Sequence, residues 1–435
     1  AGQFIQHINY IGGSNESFGR FNITGASFRE EWNAPMRSVK DINQILDIAE
    51  KNNQPQYKAL GLICKVYVLS LMTDAYGDIP YNEAGKGDVS GLELMLADLE
   101  TANQLLKSLK ADATISDDIL FNGDAVKWRK YANSLKVRIL MRQSAKKDVS
   151  ADIAAIFNNA QEYPVFTSID DQATLVYNNT VDFYKWYIQP KNLPSDGSGV
   201  IFGDNFRVSE AIVDALQTKD DPRLPVYVAP TKHSFEAHRA NASVPFVYRG
   251  QPAGLSAAEQ NEIDKDDYSV LSSTIRSESR AFVMTFAELQ FLKAEAIIRG
   301  MITGNAADEY AKGIRASMQK WAAISSDDVD VYLARPDVAL NTAQNEALKQ
   351  IGTQAWIDSF LNGFEAFANW RRTGYPELKV GTSVSSAIPV RYIYSDNEQN
   401  NPNLISWTNE KIGRMVNETD MVWFQPQKWN TNVYR

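Results

Sequence analysis

Cysteine and histidine are scarce in this sequence, and their scarcity limits the chemistry that the chain can perform. Cys64 is the only cysteine, so the chain cannot form an internal disulfide, and the count does not indicate whether the protein is exported. A buried Cys64 is expected to behave as a small hydrophobic residue. His233 and His238 do not have the i, i+4 spacing of a helical metal-binding pair. We expect both on an exposed loop, and His7 in a loose N-terminal segment.

Catalytic and nucleotide-binding signatures are also missing from the sequence. It contains neither the Gly-x-Ser-x-Gly turn of serine hydrolases nor a glycine-rich phosphate loop ending in Gly-Lys-Ser/Thr. Adjacent aspartates are frequent, but neighbours in sequence do not indicate the separated carboxylates of a glycosidase, and we interpret them as helix caps. A glycosidase with dispersed carboxylates stays open. No cofactor is expected, and structural calcium is left open at 264–267 and 326–330, although neither segment matches a calcium loop.

The chain has no excess of positive charge. Its formal net charge is −9 and its pI is about 5.1. Proteins that bind nucleic acid present clustered basic residues, so this balance argues against nucleic acid as a partner. It also argues against docking on anionic lipid through charge alone. Hydrophobic residues make up 44% of the 435 positions, which is enough for a large buried core.

The most informative stretch that is present is a long apolar helix at 57–76. It is apolar on nearly every face, which is typical of a helix that is buried in a large protein or spans a membrane. Lys58 and Lys65 interrupt the stretch, so we interpret it as a central core helix. Gly77 and Pro80 are expected to end the helix in an aromatic, acid-bearing turn.

Helical periodicity recurs along the chain, without a period clean enough to define repeats. The segments are 30–50, 92–109, 124–144, 285–300, 308–321 and 354–370. The pair within 287–321 has the size and the small residues of a tetratricopeptide unit. Between 150 and 280 the periodicity weakens, and we expect a few short β-hairpins, with a strand at 244–248, and no large sheet. The sequence therefore predicts a mostly α fold with a helical scaffold at 30–145 and 281–375.

The candidate binding residues lie in the irregular region, in an aromatic segment at 177–192. Its aromatic rings offer flat apolar faces to the C–H face of a sugar, and the amides and carboxylate beside them can bond sugar hydroxyls. The candidate ligand-binding residues are Asn178, Asn179, Asp182, Tyr184, Trp186 and Tyr187. An exposed aromatic cluster usually indicates binding. The alternative, in which Trp186 fills the core beneath a long loop, is given equal weight.

Several short motifs, in this order along the chain, resemble the SusD/RagB family of outer-membrane nutrient-binding lipoproteins. They are the turn at 76–81, the run at 128–142, the segments at 207–209 and 220–225, and the run at 363–376, which is the most specific. We interpret Arg138 and Arg142, in the second motif, as a solvated or ion-paired helix face and not as ligand contacts. Arg371 and Arg372, in the last motif, are interpreted as cations that face the negative end of a helix.

The resemblance implies a single domain over 1–435. This domain would be an α-α superhelical scaffold of tetratricopeptide-like helix pairs, with the irregular region at 150–280 displaying the ligand and a C-terminal extension at 376–435. It further implies a cell-surface protein, not an enzyme, that captures oligosaccharides, or less often peptides, and delivers them to a TonB-dependent SusC-like transporter. A structural lid of the transporter that binds no ligand is the remaining alternative. Family members are held in the outer membrane by a lipidated cysteine that follows a signal peptide. Neither is visible in this sequence, so the anchor is an expectation.

Overall fold

The computed structural model describes residues 2–11, 19–77, 79, 90–110, 113–177, 200, 202–203, 205–321, 323–381, 384, 387–422 and 425. Helices dominate this part of the chain, as predicted. The helices are α1 (Arg29–Lys51), α2 (Pro55–Tyr76), α3 (Ser90–Lys107), α4 (Ala125–Gln143), α5 (Ser150–Asn158), α6 (Glu210–Gln217), α7 (Leu224–Tyr227), α8 (Lys232–Ala240), α9 (Ala257–Glu262), α10 (Ser273–Arg276), α11 (Phe286–Ile298), α12 (Ala306–Gln319), α13 (Ser326–Leu333), α14 (Gln344–Asp358), α15 (Gly363–Thr373) and α16 (Pro402–Ile412). The strands are β1 (Ile8–Tyr10), β2 (Ala173–Val176), β3 (Phe206–Val208) and β4 (Arg280–Met284).

The long helices pack in the order in which the chain makes them. α1 packs on α2, α2 on α3, and α3 on α4, while α11 packs on both α12 and α14. Contacts of α4 with α11, and of α2 with α15, join the N-terminal and C-terminal helices into one core. This arrangement confirms the predicted scaffold of tetratricopeptide-like helix pairs.

Helix α2 is the centre of this scaffold, as the sequence predicts. Within the described residues it alone is long and apolar enough to cross a membrane, but 67% of its most apolar window is buried inside the protein. The helix ends at Gly77, whose φ of 86° is a conformation that favours glycine. Just before this end, the ring of Tyr76 meets Trp32 edge-on at 5.0 Å and stacks on Tyr394 at 5.9 Å. The C-terminal part of the chain therefore packs back onto the end of the core helix.

The short strands form two separate two-stranded sheets, and the described part of the chain contains no large sheet, as predicted. The prediction of hairpins is wrong for these strands, because each sheet joins distant segments: β1 pairs with β3, and β2 pairs with β4, both antiparallel. Residues 244–248 also form no strand. The irregular region instead carries the short helices α5 to α10. Helices of four to nine residues repeat a hydrophobic pattern too few times for periodicity to reveal them.

Two predictions about histidine placement are also wrong. His7, which directly precedes β1, is fully buried. Strand β1 pairs with β3, and the Nε2 of His7 lies 3.0 Å from the carbonyl oxygen of Trp356. His233 and His238 lie on α8 and not on a loop, although His233 is exposed and lies 2.9 Å from Asp264. Cys64 is largely buried, and burial raises the pKa of its thiol to about 11, which is expected of an inert core cysteine.

Candidate functional site

A cavity of about 890 Å³ opens between β4, α11 and the junction of α14 with α15. Its volume is in the range of sites that bind small molecules. Aromatic rings and charged side chains both contribute to its lining. The aromatic residues among its described lining are Tyr67, Tyr177, Phe282, Phe291, Trp321 and Phe360. We call it the β4 cavity.

Strand β4 places Phe282 in the wall of the β4 cavity. In the pairing with β2, Phe282 lies opposite Thr174. Two cations contact its half-buried ring: the Arg280 guanidinium carbon and the Lys320 Nζ each lie 5.2 Å from the ring centroid. Trp321 meets the same ring edge-on at 5.8 Å. These contacts hold the Phe282 ring in one orientation in the cavity wall.

The end of α14 supplies a second wall, because the predicted single helix over 354–370 is in fact two helices. α14 ends at Asp358 and α15 begins at Gly363. Leu361 between them has a φ of 68°, which a continuous helix does not allow. Asn362 caps α15 by accepting a hydrogen bond from the backbone of Glu365 at 3.5 Å. The break turns Asp358, Ser359, Phe360 and Asn362 toward the cavity.

A buried ion pair joins the two walls. Lys320 Nζ donates to the Oδ1 and to the carbonyl oxygen of Asp358, both at 2.7 Å. Thr285, the N-cap of α11, donates to the other carboxylate oxygen at 2.8 Å. The Lys320 and Asp358 side chains are only 2% and 4% exposed. Burial lowers the pKa of Lys320, although Asp358 opposes this effect. The pair thus fixes two opposite charges in the cavity lining with little access to bulk water.

At the floor of the cavity, two lining carboxylates are paired with arginines buried behind them. Arg138 donates to both carboxylate oxygens of Glu288 at 2.6 and 2.7 Å, and Arg142 to both of Glu365 at 2.5 and 2.6 Å. The expected ion pairing of Arg138 and Arg142 is confirmed, but they lie in the core and not on a solvated face. α4 packs against α2 and α11 here, and Arg142 reaches Glu365 on α15, so its arginines are covered. Burial raises the pKa of Glu288 to about 7, against the effect of Arg138.

Helix α15 contributes a second buried pair. Arg372 donates to both carboxylate oxygens of Glu295 on α11, at 2.6 and 2.7 Å. Burial alone would raise the pKa of Glu295, but Arg372 and Arg299 hold it at about 2. Arg372 lies in the last turn of α15, as expected, and it also binds a carboxylate on another helix. Arg371 does donate to a carbonyl of its own helix, that of Phe367, at 2.9 Å.

This arrangement is suited to bind a neutral molecule that is rich in hydroxyl groups. Hydroxyl groups both donate and accept hydrogen bonds, and the Arg280–Glu278 pair, which is 35% and 16% exposed, offers fixed donors and acceptors. The aromatic wall offers an apolar face for the C–H groups of the same molecule. No histidine or cysteine is among the described residues that line the cavity.

The acidic segments at 264–267 and 326–330, the candidates for structural calcium, are engaged in local structure. Asp264 caps a short helix at 265–267, and Asp266 pairs with Lys232 at 2.7 Å. In the second segment, Asp328 forms a capping box with Ser325 at the start of α13. Within the described residues, no group of three or more His, Cys, Asp or Glu side chains is arranged to hold a metal ion.

The predicted site residues Asn178, Asn179, Asp182, Tyr184, Trp186 and Tyr187 lie outside the described residues. They follow directly after Tyr177, which continues β2 by donating its backbone N–H to Ser279 at 2.8 Å and lines the β4 cavity. Sequence reasoning missed Phe282, Lys320, Trp321, Asp358 and Asn362. Only Asn362 gave a signal, because it is a good N-cap residue placed before a glycine within a helical pattern.

A second cleft, of about 740 Å³, lies between α6, α14 and residues 376–381. Its two aromatic lining residues, Tyr310 and Tyr332, are 3% and 2% exposed, so neither can offer an open ring face. Pairs at its edges, such as Lys349 with Glu377 at 3.3 Å, are well exposed. The β4 cavity is therefore the better candidate site.

Comparison with known proteins places this geometry in a family. A family model for SusD-like proteins, described as starch-binding and associating with the outer membrane, matches residues 2–395. A search of curated proteins found no match. Among solved structures, the chain is similar to a chitin-binding protein, with 27% identity, a TM-score of 0.79, and coverage of 98% of this chain and 93% of that one.

Two bacterial proteins show the same fold at lower identity. An outer-membrane protein of Bacteroides vulgatus, linked with nutrient binding, has 23% identity, a TM-score of 0.82, and coverage of 98% of this chain and 95% of that one. A SusD homologue of Bacteroides fragilis has 23% identity, a TM-score of 0.79, and coverage of 98% and 94%. Because the family model spans most of the sequence, the chain belongs to the SusD-like family, whose members are described as starch-binding and associated with the outer membrane.

Proposed function

We propose that this protein binds oligosaccharides in the β4 cavity. The observation that carries the proposal is the half-buried Phe282 ring, fixed in the cavity wall beside the ion pairs Lys320–Asp358 and Arg280–Glu278. An aromatic face with fixed donors and acceptors around it matches the two kinds of surface on a sugar ring. The family's starch-binding description and the similarity to a chitin-binding protein support the same class of ligand.

We further propose that the aromatic segment at 178–187 extends this site, and that 150–280 displays it within one domain over 1–435. Tyr177 lines the cavity, and the predicted residues follow it directly in the chain. Trp186→Ala is then expected to weaken glycan binding without lowering the melting temperature. A lower melting temperature with unchanged affinity would instead assign Trp186 to the core.

We propose that the protein holds its ligand at the cell surface and passes it to a TonB-dependent SusC-like transporter. Membership of an outer-membrane-associated family supports this location, and a lipid anchor on an N-terminal cysteine would hold the protein there. The transporter should co-purify with a tagged copy of the full-length, lipidated protein from solubilised outer membranes. Absence of the transporter from the purified material would contradict this delivery role, while the proposal of glycan binding would still stand.

Glycoside hydrolysis is the second candidate function, and one observation favours it. Burial raises the pKa of Glu288 to about 7. Burial would also raise the pKa of Glu365, but Arg142 and Arg138 lower it, so the two pKa values diverge as those of a general acid and its partner must. However, Arg138 already occupies both carboxylate oxygens of Glu288. We therefore favour binding, and expect oligosaccharides to be recovered at full length after incubation with the protein. Shortened products that disappear with Glu288→Gln would establish the enzyme.

Isothermal titration calorimetry against a panel of oligosaccharides and peptides tests the capture role. We expect a saturable response to one class of glycan. A response to peptides alone would contradict the proposed ligand. Silence across the panel, together with tight binding to the transporter, would support the remaining alternative, a structural lid without its own ligand.

A further inference from the structure

We infer that the β4 cavity selects uncharged glycans and rejects glycans that carry uronate or sulfate groups. This inference rests on the proposed binding of oligosaccharides in the cavity. It follows from how the charges of the lining are already paired.

Each cation in the described lining of the cavity is committed to a carboxylate. The three cations are Arg280, Lys320 and Arg372. Arg280 donates to both oxygens of Glu278, at 2.8 and 2.5 Å, and also to the carbonyl oxygen of Lys320 at 3.0 Å. Lys320 is bound to Asp358, and Arg372 to Glu295, in pairs whose members are at most 4% exposed.

Carboxylates outnumber the cations in the same lining. There are five of them, Glu278, Glu288, Glu295, Asp358 and Glu365, against three cations, a difference of two negative charges. Behind the lining, the buried Arg138 pairs with Glu288, and the buried Arg142 pairs with Glu365 and Asp74. Arg299 makes a second ion pair with Glu295, so the cations behind the lining are engaged as well. With each of these cations in use, the described lining has no positive charge to spare for a ligand.

An anionic sugar would therefore enter at a cost that a neutral one avoids. Its carboxylate or sulfate would lose water and find no free cation among the described lining, unless it displaced a carboxylate from a buried pair. Displacing Asp358 from Lys320 would leave its carboxylate buried without a cation. A neutral hydroxyl needs only one donor or acceptor, and the partly exposed Arg280–Glu278 pair can supply either without separating.

The test compares named hexasaccharides of both charge classes by calorimetry on the complete chain. The neutral probes are those of chitin, starch, xylan and mannan, and the anionic probes are those of polygalacturonate, alginate and chondroitin sulfate. We expect saturable binding within the neutral set, and binding at least roughly tenfold weaker across the anionic set. Anionic binding as tight as neutral binding would overturn the inference of charge selection but not the proposed glycan binding. Failure of both sets to bind would overturn the proposed function and the inference with it.

A charge variant at the edge of the cavity supplies a second readout. Glu278→Gln removes the carboxylate beside Arg280 while leaving the buried pairs intact, and the Arg280 side chain is 35% exposed and thus within reach of a ligand. We expect the ratio of the affinities for neutral and anionic probes to fall by roughly tenfold, because no carboxylate then neutralises Arg280. Glu377→Gln, in the exposed pair of the second cleft, is the matched control and should leave this ratio of affinities unchanged. An unchanged ratio of affinities in Glu278→Gln would overturn the inference.

Discussion

Single residues in the cavity wall hold charges that have little contact with water, so their removal is costly. Lys320→Met keeps most of the side-chain length but leaves Asp358 as a buried carboxylate without its cation. Breaking a buried pair in this way usually costs about 3 to 5 kcal/mol of unfolding free energy. We expect a loss of this size in urea denaturation monitored by circular dichroism.

Two variants show whether the loss comes from the buried charge. Lys320→Met with Asp358→Leu removes both charges and should recover most of the stability, because two apolar side chains need no partner. Lys349→Met breaks the exposed pair with Glu377 and should change the unfolding free energy by less than about 1 kcal/mol. A Lys320→Met protein as stable as the wild type would contradict the structure at this position.

His7 gives stability a specific dependence on pH. Burial lowers its pKa from 6.5 to about 3, so the folded protein keeps the imidazole neutral where the unfolded chain would bind a proton. Its contribution to stability is complete above pH 6.5 and is lost progressively as the pH falls toward 3. The loss amounts to about 1.4 kcal/mol for each pH unit in that window. Wild-type protein should therefore lose about 2 kcal/mol more between pH 6.5 and 5 than His7→Gln, which does not titrate.

His233→Gln is the control for this experiment. His233 is exposed, and its hydrogen bond with Asp264 raises its pKa, so its contribution is present at low pH and is lost as the pH rises through that raised pKa. Removing it cannot reproduce the effect of His7→Gln. Equal pH slopes for wild type and His7→Gln, in urea titrations at the two pH values, would show that His7 is not buried in the neutral form.

At the scale of helices, the close contact between α11 and α12 depends on a glycine. A Cβ at Gly313 would lie 2.6 Å from Cε1 of Phe291, which is too close for any carbon contact. Gly313→Ala should therefore lower the unfolding free energy by about 1 to 3 kcal/mol, although alanine is the better helix former. The measurement is chemical denaturation of the single variant.

A compensating change tests the cause of that loss. Phe291→Leu removes the ring atoms that the new methyl group would meet, so the double variant should be more stable than the sum of the two single effects predicts. Strict additivity would mean that the helices do not approach each other at this point. A Gly313→Ala protein that is more stable than the wild type would contradict the packing of α11 on α12.

The helices also show how far sequence patterns can define elements. Residues 57–76, 92–109, 124–144 and 285–300 each repeat their apolar pattern over four or more turns, and each is a helix in the structure close to the predicted bounds. The same pattern concealed the break between α14 and α15. The apolar residues continue across Leu361, but the backbone at Leu361 leaves the helical conformation. Patterns report which side chains are apolar, and they do not report φ.

At the scale of the whole molecule, the family motifs predicted the architecture, but the candidate site could not be assembled from sequence alone. Its parts come from β4, from the end of α12, and from the junction of α14 and α15. Arg138 and Glu288 are 150 positions apart, and Arg142 and Glu365 are 223 apart. Such pairs arise only when helices distant in sequence pack together. Each of these charges, viewed singly along the chain, is indistinguishable from a residue on a solvated helix face.

Above all, we propose that the β4 cavity binds a glycan against Phe282. Isothermal titration calorimetry of wild type, Phe282→Ala and Phe246→Ala with the hexasaccharides of chitin, starch, xylan and mannan tests it most directly. Phe246 is the matched control, because it is 42% exposed and lies outside the described lining of the cavity. We predict that Phe282→Ala weakens binding by roughly tenfold, the effect of about 1.4 kcal/mol of lost ring contact, and that Phe246→Ala binds like the wild type. Wild-type affinity in Phe282→Ala would contradict the assignment of the site to this cavity.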